Sequence, residues 1–138
     1  MHIKREIRII GIDDGPFNKF KDKECLVIGV VTRGGLYIDA ILSTKVEVDG
    51  DDATEKIIEM INKSRQKDQI RIIMVDGISL AGFNVIDLEE LYLKTGKPVI
   101  AITRKKPNFE EIYKAIKNTK NWEKKWETIK KLENLKRC

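Results

Sequence analysis

At 138 residues and 15.9 kDa the chain has room for one domain with a full core and is too short for two of ordinary size. Hydrophobic residues make up 41% of it, yet no apolar run approaches the roughly 20 residues that span a bilayer. The opening MHIKREIR alternates charge with isoleucine where a secretory signal would be apolar, so a cytoplasmic protein is expected. Lys and Arg number 27 against 22 Asp and Glu, a net charge of +5 and a pI near 9.1. That balance suits a nucleic-acid partner without requiring one, and a charged fraction of 36% also suits a hot environment. His2 is the single histidine, which excludes a His-based nucleophilic triad and a His-rich zinc site. Cys25 and Cys138 form no metal-ligand spacing and no disulfide framework, and Cys25 reads as a small buried hydrophobe. A phosphate-cradling glycine loop of the P-loop or dinucleotide type is also missing.

In chain order, Ile3 to Ile12 predicts a first strand that runs into Asp13-Asp14-Gly15 and is broken by Gly15-Pro16. Phe17 to Lys23 reads as a Lys-rich loop. Cys25 to Thr32 is a second strand, and Gly34-Gly35 turns it tightly into a long third, Leu36 to Val48. Asp49-Gly50-Asp51-Asp52 opens a helix carrying Ile57, Ile58 and Ile61 as an apolar stripe, with acidic residues placed to complement its dipole. Ile70, Ile72, Ile73, Met74 and Val75 form the kind of run needed by a strand buried on both faces, and it stops at Asp76-Gly77. Ile78 to Asn84 reads as a loop, Val85 to Thr95 as a helix ended by Gly96, and Lys97 to Thr103 as a fifth strand leading into Arg104-Lys105-Lys106-Pro107. Helices from about Asn108 to Lys117 and Asn121 to Lys136 complete the chain. Three strands joined without helices, followed by βαβ crossovers, predict an α/β fold. Its mixed sheet of about five strands is a three-strand antiparallel meander and then parallel strands, flanked by helices, the ribonuclease H-like pattern.

Asp13 and Asp76 both sit at strand tips, the edge of an open α/β sheet where ligands bind. Two or three carboxylates converging from different elements are what a hard Mg²⁺ ion and a phosphodiester need. Asp52, at the start of the first helix, is the candidate third. The blander reading is that Asp-Gly pairs after strands are turn chemistry and that Asp52 caps its helix. A phosphoryl-accepting receiver domain also carries an Asp-Asp pair and a strand-tip Asp, but receivers alternate strand and helix from the start. Arg104, Lys105 and Lys106 fall on the same rim, where a cation holds a scissile phosphate or belongs to a solvated charge run. In the last helix Trp122, Trp126, Ile129, Leu132 and Leu135 form a stripe suited to core contacts or a homodimer face, and Lys117, Lys120, Lys124, Lys125, Lys130 and Lys131 read as a wet face.

Taken together, GIDDGPF, VDGDDATEKI, IMVDGISLAGFNVIDLEEL and TGKPVIAITRKKP resemble an archaeal family of deoxyuridine endonucleases, itself similar to endonuclease V with its ribonuclease H-like fold. The resemblance covers roughly residues 6 to 118. It implies a metal-dependent endonuclease that acts in DNA repair with Mg²⁺ or Mn²⁺ and deoxyuridine-containing DNA. Asp13 matches the first-strand metal aspartate of endonuclease V and Asp76 the central-strand one. The Arg-Glu motif that supplies the middle ligand there is missing, so Asp52 stands in, with Asp49 and Asp14 as further candidates. Arg104 falls where endonuclease V has a lysine, with Lys105 beside it as a substrate contact. Gly82, Phe83 and Asn84 are the expected nucleotide contacts, Phe83 either stacking on a base or anchoring its loop. The endonuclease V wedge has no recognisable counterpart. Residues 1–138 are expected to form a single endonuclease V-like domain ending before C-terminal elements of the family. The alternative function is a non-catalytic nucleic-acid-binding or interaction module on the same fold.

Overall fold

The computed structural model describes residues 6–103 and 108–133. The elements are β1 (Arg8–Asp14), β2 (Glu24–Arg33), β3 (Tyr37–Glu47), α1 (Ala53–Asn62), β4 (Ile70–Asp76), β5 (Ser79–Leu80), β6 (Asn84–Val85), α2 (Leu88–Thr95), β7 (Val99–Ile102), α3 (Phe109–Ile116) and α4 (Trp122–Glu133). Five strands form one sheet in the order β3-β2-β1-β4-β7. The pairs β3–β2 and β2–β1 are antiparallel, while β1–β4 and β4–β7 are parallel. This is the expected meander followed by crossovers.

Alternation along the strands decides which side is core. Ile10 and Ile12 of β1, Val27 and Val31 of β2, and Ile73 and Val75 of β4 are buried on one face. Helix α1 closes that face with Ala53, Ile57, Met60 and Ile61, and α2 adds Leu91. Gly29 lies under the ends of Ile10 and Met60, where a Cβ would come within 2.8 Å of Ile10 Cδ1 and 3.0 Å of Met60 Cε. The alternate residues of β4, Ile72 and Met74, are only half-buried. Burial of this strand on both faces, expected from its apolar run, is therefore not observed among the described residues, because α1 and α2 lie on the same side of it.

Between β4 and α2 the expected loop is a hairpin: β5 and β6 pair as Ser79–Val85 and Leu80–Asn84. Helix α2 begins at Leu88, three residues later than expected, because Asp87 is its N-cap and accepts a bond from Glu90 N at 3.2 Å. A second, smaller core joins α3 and α4 to this hairpin through Val85, Ile116 and Ile129, with Phe83, Trp122 and Trp126 packed against it. Tyr113 of α3 lies edge-on to Trp122, ring centroids 6.0 Å apart, and tilted against Trp126 at 4.8 Å. Trp122 and Trp126 thus pack, half-buried, within the chain, and the homodimer face suggested for the stripe is not supported. Lys125, placed with the wet face, is instead buried, since it lies three residues from Trp122 and four from Ile129 on the packed side of the helix. Leu135 and the Leu132 side chain lie outside the described residues.

Candidate active site

β1 and β4 run parallel with Ile12 opposite Val75, so the next residue of each, Asp13 and Asp76, lies beside the other at the C-terminal ends of the strands. Ile12 and Val75 point into the core. By the two-residue period Asp13 and Asp76 point together to the opposite, open face, where both are exposed. The strand ladder therefore brings this predicted pair together. Asp76 is also the partner of Ile102 at the end of β7, and Gly77 N donates to Ile102 O at 2.8 Å.

Partial burial, and then the neighbouring carboxylates of Asp14 and Asp76, push the Asp13 carboxyl above its ordinary range. A bond from Asp14 N to Asp13 Oδ1, 2.8 Å, works in the other direction. Crowded acidic oxygens on one face are the donor set of a hard divalent ion, which is commonly held by one or two carboxylates and keeps water on its other positions. Asp13 and Asp76 fit that description. A ready set of three does not exist: among the described residues no three His, Cys, Asp or Glu side chains converge as metal ligands.

Asp14 faces inward, and its Oδ2 accepts from Ala81 N at 2.7 Å. Cys25 is buried, its thiol pushed up by burial and by the Asp14 charge, so the reading of a small buried hydrophobe fits. Ala81 sits at φ 50°, a conformation costly for a residue with a side chain, and is held there from both sides, because its carbonyl accepts from Asp49 N at 2.9 Å. Asp49 is itself at φ 53°, and its Oδ1 accepts from Phe83 N at 2.9 Å. Gly82 has a reason of its own: at φ 84° it passes so close to Asp49 that a Cβ would collide with Oδ1.

Asp52 does not join the strand-tip pair. Its Oδ1 accepts from Glu47 N at 3.0 Å and from Asn84 Nδ2 at 2.7 Å. Nor does its side chain cap α1, although it occupies the N-cap position. That task falls to Asn84 Oδ1, which accepts from Ala53 N at 2.9 Å, while Asn84 Nδ2 also donates to Glu47 O at 2.9 Å. Asn84 is fully buried and uses both ends of its amide on the protein, so it braces the site in place of touching a nucleotide. Phe83 is half-buried against the smaller core, with Lys19 Nζ 5.4 Å from its ring centroid. A cleft of ≈ 520 Å³ opens on Lys19, Asp22, Glu47, Asp49 and Asp52 and does not include Asp13 or Asp76. The pair lies on the exposed rim of the sheet. Arg104 and Lys105 lie outside the described residues; in sequence they follow Ile102 by two and three positions.

Sequence reasoning passed over three residues that hold this edge: Ala81, Lys125 and Asn84 in its bracing role. Only Lys125 left a usable signal, a lysine at an apolar-stripe position.

The meander leading into parallel strands is an endonuclease V-like fold of the ribonuclease H-like kind. In agreement, the chain superposes on endonuclease V of Ciona intestinalis, solved with a 24mer DNA containing an inosine followed by a ribo-adenosine. The TM-score there is 0.52 at 13% identity, over 94% of this chain and 58% of the other. More narrowly, the Endonuclease dU family matches residues 5–138, and the chain belongs to that family. It is 48% identical over 136 residues to a UPF0215 protein of Methanothermobacter thermautotrophicus, covering 98% of this chain and 67% of that one. A solved protein of unknown function from Archaeoglobus fulgidus matches with a TM-score of 0.82 at 40% identity, over 88% of this chain and 68% of its own. The chain thus spans about two thirds of the length of these relatives.

Proposed function

We propose that the chain is the catalytic core of a metal-dependent endonuclease that hydrolyses a DNA phosphodiester at or near deoxyuridine, as part of DNA repair. The observation that carries this reading is the pairing of Asp13 and Asp76 on one open face at the tips of adjacent parallel strands. Membership in a family named for an endonuclease supports it.

Asp13 and Asp76 would hold Mg²⁺ or Mn²⁺. When bound, the ion supplies a Lewis acid for the phosphate charge and acidifies water. The two aspartates fix where negative charge on the substrate is tolerated. Asp14 and Asp52 keep the frame: Asp14 pins the 81–83 turn and Asp52 ties the end of β3 to Asn84. Phe83, at the tip of that turn, offers an aromatic edge to a base while its inner side stays packed. Arg104 and Lys105, just beyond the strand that pairs with Asp76, are assigned to the scissile phosphate and its neighbour by sequence position.

The test is a nicking assay on a labelled duplex with a single deoxyuridine and its thymidine twin, in Mg²⁺ or Mn²⁺, using the wild type, Asp76→Asn and an EDTA control. Cleavage of the deoxyuridine duplex that vanishes in both controls is the expected result. A wild type that binds the duplex to saturation and leaves it intact would sink the enzyme reading and leave a binding module on the same fold.

A further inference from the structure

We propose that Lys125 is a positioning residue for the acidic edge: from helix α4 it fixes Asp49, and through the 81–83 turn it fixes the geometry at which Asp13 and Asp76 meet an ion. The inference rests on the metal-nuclease reading above. Lys125 is 4% exposed, and its Nζ donates to Asp49 O at 2.8 Å and to Thr119 Oγ1 at 3.1 Å. A buried ammonium is costly, and an apolar residue would suit a position between Trp122 and Ile129 better. Burial indeed lowers its pKa, while Asp49, Asp51 and Glu47 act to keep it charged against Lys120.

What the ammonium holds is an unbroken path of bonds to the site. Asp49, whose carbonyl it grips, sits in a left-handed conformation, φ 53°, that this grip helps to hold. Asp49 N donates to Ala81 O and Asp49 Oδ1 accepts from Phe83 N, so both ends of the strained turn hang on this one residue. Ala81 N then donates to Asp14 Oδ2, and Asp14 N donates to Asp13 Oδ1. Asn121, the residue just before helix α4, makes a second tie to the same region, Nδ2 to Asp51 Oδ2, which stands off this path. The two ties separate a helix that merely docks from a lysine that acts on the site.

The experiment is Mn²⁺ binding to the whole chain, followed by electron paramagnetic resonance, with kcat and KM on the deoxyuridine duplex measured alongside. It compares the wild type, Lys125→Met, Lys125→Arg and Asn121→Gly, a change that keeps the positive φ at residue 121 free of strain. Groups that orient ligands from behind are worth about tenfold or more in metal affinity, so Lys125→Met is expected to weaken Mn²⁺ binding and lower kcat by about that factor with KM unchanged. Lys125→Arg keeps the charge but not the point contact, and is expected to fall between. Asn121→Gly is expected to bind Mn²⁺ as the wild type does. Unchanged Mn²⁺ affinity in a folded Lys125 variant overturns the proposal, as does an equal loss in Asn121→Gly or the failure of both Lys125 variants to fold. If the wild type itself neither binds Mn²⁺ nor nicks the duplex, the nuclease reading has failed and this inference falls with it.

Discussion

Asp13 with Asp76 and Asp49 with Asp52 are two pairs of aspartates in similar surroundings, a strand end followed by a turn, and the fold spends them differently. In the second pair the carboxylate oxygens that accept bonds do so from the chain itself: Asp49 from Phe83 N, Asp52 from Glu47 N and Asn84. In the first pair the single such bond among the described residues runs from Asp14 N to Asp13, and the charges crowd one another on an open face. An aspartate whose Oδ1 is tied to a donor more than four residues away in the chain braces a turn, as Asp49 and Asp52 do. One bonded only to its neighbour's N–H, with its charge crowded by other carboxylates, has the donor chemistry that suits a cation.

Three substitutions and one titration press on that difference. The largest effect is expected from Asp76→Asn, which should lower metal-dependent nicking by at least about 10²-fold, the scale of losing a main charge-stabilising group, while the thermal midpoint without metal holds or rises because repulsion is relieved. A folded Asp76→Asn that still cuts would erase the distinction. Asn84→Ala should act on stability first. It leaves Ala53 N without its partner at a buried position, while Glu47 O keeps its bond from Gly50 N, and one orphaned buried group costs about 1–3 kcal/mol, readable as a lowered urea midpoint. Gly82→Ala should cost more than about 1 kcal/mol, since alanine is strained at positive φ and its Cβ would strike the Asp49 carboxylate. The same urea titration reads it, and a midpoint unchanged from wild type would show that Asp49 does not hold the turn.

The smallest expected effect is a pH dependence. Asp13 has a folded-state pKa raised above its ordinary value, first by burial. The folded, metal-free chain therefore holds that proton more tightly than the unfolded chain does. Stability from this group is highest below the ordinary aspartate range, falls as pH rises from there through the raised folded value, and stays lower above it. Thermal midpoints in EDTA across that window should show the fall in the wild type and a flatter curve in Asp13→Asn.

How much of this was legible in the sequence follows from the range of each interaction. The tips at Asp13 and Asp76 were readable because alternation along a strand is local, and because a meander before the crossovers leaves few ways to order the sheet. The fate of Asp52 was not readable, since its partner Asn84 lies 32 residues away on a two-residue strand too short to show any period. The hairpin at residues 79–85 escaped notice for the same reason, although Asp87 followed by Glu90 was a visible capping signal for the helix after it. Lys125 was misread by composition: lysine usually marks solvent, yet its place on the Trp122–Ile129 stripe put it inside. The apolar run of β4 promised burial on both faces, and the helices cover one.

Anomalous diffraction from a crystal soaked in Mn²⁺ compares the two aspartate pairs most directly. The expected result is a peak between the Asp13 and Asp76 carboxylates, absent in Asp76→Asn. A peak in the cleft beside Asp49 and Asp52, with none at the strand tips, would reverse the two roles and contradict metal binding by Asp13 and Asp76.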